Sequence, residues 1–261
     1  MYLQLKKTVF FLTGSILFCC SPNNKKKDSI SQDELIAFSV VKVFPHDKRA
    51  FTQGLVIDQG KLFESTGREN SWIAEADITS GHQEKKVVLD KKYFGEGIAI
   101  LHNNLYQLTW QNHIGFIYDL KTFHKKGQFK IAYEGWGITH DMKNLIVSDG
   151  TETLHFLDTA SLEEKAEVKV HDRRGPVREL NELEFIDGYV FANQWETNFI
   201  YKIDPVTGNV AGKLDLTPLS DNIKMVDPYA DVLNGIAYEK KSKTLLVTGK
   251  LWPSLFALRI K

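Results

Sequence analysis

Apolar residues along this chain come in short runs of strand length, separated by turn-forming clusters, and the runs recur. Five segments align: "KLFESTG" from Lys61, "NLYQLTW" from Asn104, "NLIVSDG" from Asn144, "YVFANQW" from Tyr189 and "TLLVTGK" from Thr244. Their second residues are Leu62, Leu105, Leu145, Val190 and Leu245, spaced by 43, 40, 45 and 55 residues. A strand-like run precedes each segment: "QGLVID", "EGIAIL", "WGITHD", "ELEFID" and "NGIAYE". Another follows and ends on a charged residue: Asp77, Asp119, Asp158, Asp204 or Arg259. Turn stretches such as "DITSGH" and "DPVTGN" come next, then outer runs such as "EKKVVL" and "KAEVKV". Four short strands per unit and five units predict an all-β, five-bladed β-propeller. A β-sandwich would need this spacing to be coincidental. The last unit runs out after its third strand, while "FSVVKVF", Phe38 to Phe44, has no unit of its own. It is expected to supply the missing strand and close the ring, which removes exposed sheet edges.

Residues outside the repeat change the picture at the N-terminus. Lys6 and Lys7 precede an apolar run from Thr8 to Phe18, which ends at Cys19 and Cys20. A basic stretch followed by a short apolar run reads as an export signal and is too short to span a bilayer comfortably. "LFCCSPNN" resembles a loose bacterial lipoprotein cleavage box, with Cys20 the better lipid-bearing residue and an ordinary cleaved signal the alternative. The expected organisation is a signal over 1–20, a polar tether over 21–35 and the propeller over 36–261. The expected location is the bacterial cell envelope, lipid-anchored. No cysteine lies beyond Cys20, so the propeller has no internal disulfide. The chain carries 33 basic and 33 acidic residues, so net charge gives no reason to expect nucleic acid as a partner.

In a propeller, function sits where the repeat diverges near one end of the central channel. Two columns diverge here. One, at the start of the inner strands, reads Gln53, Glu96, Trp136, Glu182 and Asn234. The other, five residues past each anchor, reads Gly67, Trp110, Gly150, Trp195 and Lys250. Polar, acidic, aromatic and cationic residues at one place in the unit suggest a single pocket built by all five blades. A lone Trp is most often core, and Lys250 alone reads as a solvated turn residue. Glu182 also reads as a paired structural acid. Glu96, in "FGEGIA", stands between glycines that permit close approach. Its apolar setting predicts a raised pKa, in the range useful for proton transfer.

The stretches "PHDKRAFTQGL", "YFGEGIA", "LYQLTW", "EGWGIT", "GPVRELNELE", "ANQWETNFIYKIDPVTG", "DVLNGIAYE" and "VTGKLWPSLF" carry a resemblance. The chain is similar to the propeller-fold glutaminyl-peptide cyclotransferases of plants and bacteria. One departure is "STGRENSW", where that family more often has a Tyr-Gly pair. The resemblance implies conversion of the N-terminal Gln of peptides or proteins to pyroglutamate, with loss of ammonia. It implies Glu96 as acid/base, an aromatic wall of Phe51, Phe94, Trp110, Trp136 and Trp195, and Gln53, Asn181 and Lys250 as polar contacts. No cofactor or metal is implied, membrane attachment would be through the lipid anchor alone, and a monomer is expected. Two other classes compete. A metal-dependent propeller hydrolase of lactonase type would use Glu96, Glu182 and Asn234, although Lys250 is a poor neighbour for a metal. A non-catalytic surface propeller would need none of this chemistry.

Overall fold

The computed structural model describes residues 35–68 and 70–261. The expected signal, Cys19, Cys20 and most of the tether lie outside them. Five four-stranded antiparallel sheets follow one another along the chain. The inner strands are Thr52–Asp58, Gly95–Leu101, Ile138–His140, Leu180–Ile186 and Leu233–Glu239. Each is followed outward by its two middle strands, and in the first four blades by an outer strand of the same unit. The fifth blade takes its outer strand from Phe38–Pro45, which lies antiparallel to Ser254–Ile260 with Phe38 opposite Ile260 and Pro45 opposite Ser254. The ring is therefore closed by the N-terminal strand, as the unit count requires.

The apolar runs are buried on both faces because every blade is sandwiched between two others. Successive side chains of a strand point to opposite faces. Leu246 accordingly packs with Leu55 and Leu62 of the first blade, while Leu245 and Val247 pack with Ile200 and Phe191 of the fourth. Each of the five seams between blades holds its own cluster of buried apolar residues.

The charged residue closing each third strand has a local job. Asp77 Oδ1 accepts from Ser80 N at 2.8 Å, Asp119 Oδ1 from Thr122 N at 2.9 Å, Asp158 Oδ1 from Ser161 N at 2.9 Å and Asp204 Oδ1 from Val206 N at 2.9 Å. These Asx turns lead the chain into the outer strand. Arg259 replaces the aspartate in the fifth blade, where no such turn is made because the outer strand arrives from Phe38–Pro45.

The longest unit, between the fourth and fifth anchors, holds the helix Thr217–Val226. Its buried residues Leu219 and Ile223 join the cluster between those two blades. The chain beyond it leads to Asp231 and Val232, beside the turn of Lys250, with Asp231 N donating to Lys250 O at 2.8 Å and Lys250 N to Val232 O at 2.9 Å.

Candidate active site

The inner strands are irregular at one level. Their pairing with the second strands slips between Thr52 and Gly54, Gly95 and Ile98, Leu180 and Leu183, and Leu233 and Ile236. A bulge turns a side chain away from the alternation of the sheet and can aim it into a cavity. Counting from the paired residues Thr52, Gly95, Leu180 and Leu233, the bulged positions are Gln53, Glu96, Asn181 and Asn234. Trp136 stands at the same level in the third blade, two residues before Ile138.

This corrects one expectation. Glu182 does not share the column of Glu96; Asn181 does. Glu182 occupies the next position, which is Gly54, Gly97, Gly137 and Gly235 in the other blades. There the inner strands meet backbone to backbone: a Cβ on Gly54 would lie 2.5 Å from Ile98 N, and one on Gly97 would lie 2.7 Å from Trp136 O. The Glu182 side chain is fully buried. It accepts from Leu55 N at 3.2 Å and Ile236 N at 2.8 Å, joining the fourth blade to the first and fifth. Burial, then the nearby Glu184, push its carboxyl well above the usual range. Both oxygens are engaged in holding the ring, and Glu182 does not line the cavity.

That cavity, of about 360 Å³, opens at the bulged level. The nine residues expected there, Glu96, Phe51, Gln53, Phe94, Trp110, Trp136, Asn181, Trp195 and Lys250, all line it. Phe94 meets Phe51 edge-on at 6.3 Å and Trp110 at 5.6 Å, and Trp136 meets Trp195 edge-on at 5.7 Å. Gly67 and Gly150, read from the sequence as pocket positions, are ring seats instead. A Cβ on Gly67 would collide with the Phe94 ring, and one on Gly150 would lie 2.6 Å from Trp136 Cζ2.

Glu96 is 4% exposed. Its Oε1 accepts from Gln53 Nε2 at 2.9 Å. The Gln53 amide is oriented in turn by Asn234, whose Nδ2 donates to Gln53 Oε1 at 3.3 Å and to Thr52 O at 3.0 Å. The Glu96 backbone is fixed as well: its carbonyl accepts from Ser65 Oγ at 2.6 Å, which accepts from Gln107 Nε2 at 2.8 Å. Burial pushes the Glu96 carboxyl well above the usual carboxylate range, against the opposing pull of the Lys250 ammonium. Burial also draws the Lys250 amine below its usual range, opposed by Glu96 and Asp231. An acid displaced upward and a base displaced downward are brought closer in proton affinity, which suits proton exchange. Lys250 Nζ stands 4.8 Å over the Phe51 ring. The Asn181 Oδ1 is buried without a hydrogen-bond partner among the described residues.

Five residues near the cavity went unread in the sequence. Glu134 Oε2 accepts from Trp110 Nε1 at 2.6 Å and Trp136 Nε1 at 3.1 Å, while Oε1 accepts from Gln111 Nε2 at 3.3 Å. One carboxylate thus fixes two indoles from different blades. Burial works against its charge, but these donors hold its carboxyl below the usual range. Arg68, Glu196, Asp231 and Val232 line the cavity with the expected nine. A third column was there to be read. Phe51, Phe94, Glu134, Glu179 and Val232 each stand two residues before the bulged position, and Phe51, Phe94, Glu179 and Val232 accept from the Gly67, Trp110, Trp195 and Lys250 N–H groups.

The metal-hydrolase trio does not face the cavity together. Both Glu182 oxygens are committed to backbone N–H groups, Asn234 gives its Nδ2 to Thr52 and Gln53 and does not line the cavity, and Glu96 alone of the three lines it. Among the described residues, His155, Glu164 and Glu167 on the third blade are clustered closely enough for a metal. Both glutamates are exposed and none of the three lines the cavity.

Comparison with known proteins shows the family and the fold. The family model described as glutamine cyclotransferase matches residues 12–260. A glutaminyl-peptide cyclotransferase of Arabidopsis thaliana is 42% identical over 228 residues, 85% of this chain and 71% of that protein. The crystal structure of Myxococcus xanthus glutaminyl cyclase superposes with a TM-score of 0.83 at 34% identity, covering 88% of this chain and 99% of that one.

Proposed function

The chain belongs to the glutamine cyclotransferase family, and from that premise we propose that its cavity converts the N-terminal glutamine of peptides and proteins to pyroglutamate, with Glu96 as the acid/base. The observation that carries this reading is the single buried carboxyl of Glu96, set in an aromatic cavity with Lys250 on the same wall. The substrate's α-amine must attack the carbonyl carbon of its own side-chain amide. Glu96, in its ionised form, takes a proton from the α-ammonium. The amine nitrogen then bonds to the amide carbon, and the carbonyl oxygen takes the negative charge. Lys250 and the amide N–H groups of Gln53 and Asn181 are the donors available to that oxygen. Glu96 gives that proton to the amide nitrogen and then takes the second proton from the attacking nitrogen, which is positively charged once bonded to carbon. The C–N bond breaks, the neutral lactam closes, and ammonia leaves and carries the remaining proton away as ammonium. One carboxyl performs all of these transfers, so no metal is required.

The aromatic wall supplies orientation. A glutamine side chain in water samples mostly extended rotamers. Rings of Phe51, Phe94, Trp110, Trp136 and Trp195 around a cavity of about 360 Å³ select folded ones. The Glu134 carboxylate keeps two of those rings in place.

The test is incubation of the purified protein with a Gln-initiated dipeptide while ammonia release is followed, before and after exhaustive chelation. Ammonia release at the same rate in both is expected. Loss of activity on chelation and its return with a divalent ion would favour metal-dependent chemistry instead. No ammonia under any condition would leave a binding propeller.

A further inference from the structure

We propose that Arg68 reads a carboxylate carried just beyond the substrate's N-terminal glutamine, either an acidic second side chain or a free C-terminus. This rests on the cyclotransferase reading of the cavity and adds a substrate preference to it.

Arg68 lies in "STGRENSW", the stretch that departs from the resembled family's pattern. It follows Gly67, the seat of the Phe94 ring, and lines the cavity. Its backbone is left-handed, φ +67°, a conformation that an arginine seldom adopts. The turn is held by its own carbonyl, which accepts from Ser71 N at 3.2 Å and Ser71 Oγ at 2.7 Å. Ser71 Oγ accepts in turn from Gly95 N at 3.0 Å, next to Glu96. The unusual turn is therefore tied to the strand that carries the acid.

The side chain is placed but weakly used. Its guanidinium lies 3.8 Å over the face of Phe51, the same ring that Lys250 approaches from 4.8 Å. Its Nη2 reaches Asp231 Oδ2 at 3.4 Å, with both side chains substantially exposed, at 53% and 38%. A long, solvated pair of this kind contributes little by itself. A guanidinium carries five N–H donors in a planar fork that suits a carboxylate, and Asp231 takes one of them. Asp231 shows that a carboxylate fits that edge. The other charged groups lining the cavity are Glu96, Glu196 and Lys250. With the glutamine side chain inside against Glu96, the rest of the peptide leaves through the opening, past the rim where Arg68 and Asp231 meet.

The test compares kcat/KM for four substrates: Gln-Ala amide, Gln-Ala with a free carboxyl, Gln-Glu amide and Gln-Lys amide. The wild type is expected to favour a carboxylate-bearing peptide over Gln-Ala amide by about threefold to fivefold, the scale of one exposed ion pair, and to disfavour Gln-Lys amide. The two carboxylate peptides distinguish a side-chain source from a terminal one. Arg68→Gln should erase the preference. Arg68→Lys should keep part of it, since the charge stays but the fork and the stacking are lost. Asp231→Asn should enlarge it by removing the competing carboxylate, a gain that a merely structural pair would not give. Equal selectivity in wild type and Arg68→Gln, or no carboxylate preference in the wild type, would overturn the assignment while leaving the cyclotransferase reading intact. Ammonia from none of the four would remove both.

Discussion

Glu96→Gln is expected to lower kcat by on the order of 10²–10⁴, the usual worth of general acid–base catalysis. The substitution keeps the size of the side chain, and an amide oxygen can still accept from Gln53 Nε2, as the carboxylate does at 2.9 Å. What it removes is a group that can take a proton from the α-ammonium and return it to the leaving nitrogen. KM should change much less, because the aromatic wall is untouched. Trp110→Ala or Trp195→Ala should show the complementary pattern, a raised KM with a smaller fall in kcat, since packing against the substrate is lost while the acid remains. Steady-state kinetics on one Gln dipeptide separate the two kinds of residue. A near wild-type kcat for Glu96→Gln would make Glu96 a structural acid. Glu182 could not inherit its role, because both its oxygens serve backbone N–H groups that join three blades.

Deleting Phe38 to Phe44 should remove most of the stability of the ring. The strand looks dispensable by burial, since most of its side chains are exposed. Its contribution is made through the backbone. It pairs along the whole of Ser254–Ile260, and its removal would leave that strand as an open edge. At about 1 kcal/mol for each hydrogen bond lost, the cost is several kcal/mol, against a total stability of roughly 5–15 kcal/mol. Packing is lost too, because Phe44 lies against the cluster between the fifth and first blades and Phe38 against that between the fourth and fifth. The anchor beyond the strand would be disturbed, where His46 Nδ1 meets Trp252 O at 2.7 Å and Nε2 meets Glu64 Oε1 at 3.0 Å. A melt followed by circular dichroism should show a fall of on the order of 10–20 °C, or no cooperative transition at all. An unchanged midpoint would mean that closure does not depend on this strand.

The fold was legible because strand length, turn chemistry and period all repeat, and a last unit one strand short, with Phe38 to Phe44 left over, pointed to the blade closed from elsewhere. The site was legible through divergence at fixed places in the unit, which singled out Glu96, Trp110, Trp136, Trp195 and Lys250. Two things were hidden. The bulges add a residue without disturbing the apolar pattern, so counting along "LNELEF" placed Glu182 one step from its true level and left Asn181 to the family resemblance. The indole clamp of Glu134 was hidden for a different reason: Trp110 and Trp136 come from separate blades, and only the assembled ring brings both N–H groups to one carboxylate. The same holds for Arg68 and Asp231, which are 163 positions apart.

The pH dependence of kcat/KM for a single Gln dipeptide, in wild type and Glu96→Gln, tests the central claim most directly. Burial raises the Glu96 pKa, so the carboxyl is protonated and unable to act as a base below that raised value, and ionised above it. Wild-type kcat/KM should therefore rise through an acid limb lying above the ordinary carboxylate range, then fall as the substrate's ammonium and Lys250 lose their protons. In Glu96→Gln that acid limb should be gone. The residual rate should instead track the free α-amine, whose pKa lies at about 8. An acid limb at the same pH in both proteins would contradict the account, since the titrating base would then be some group other than Glu96.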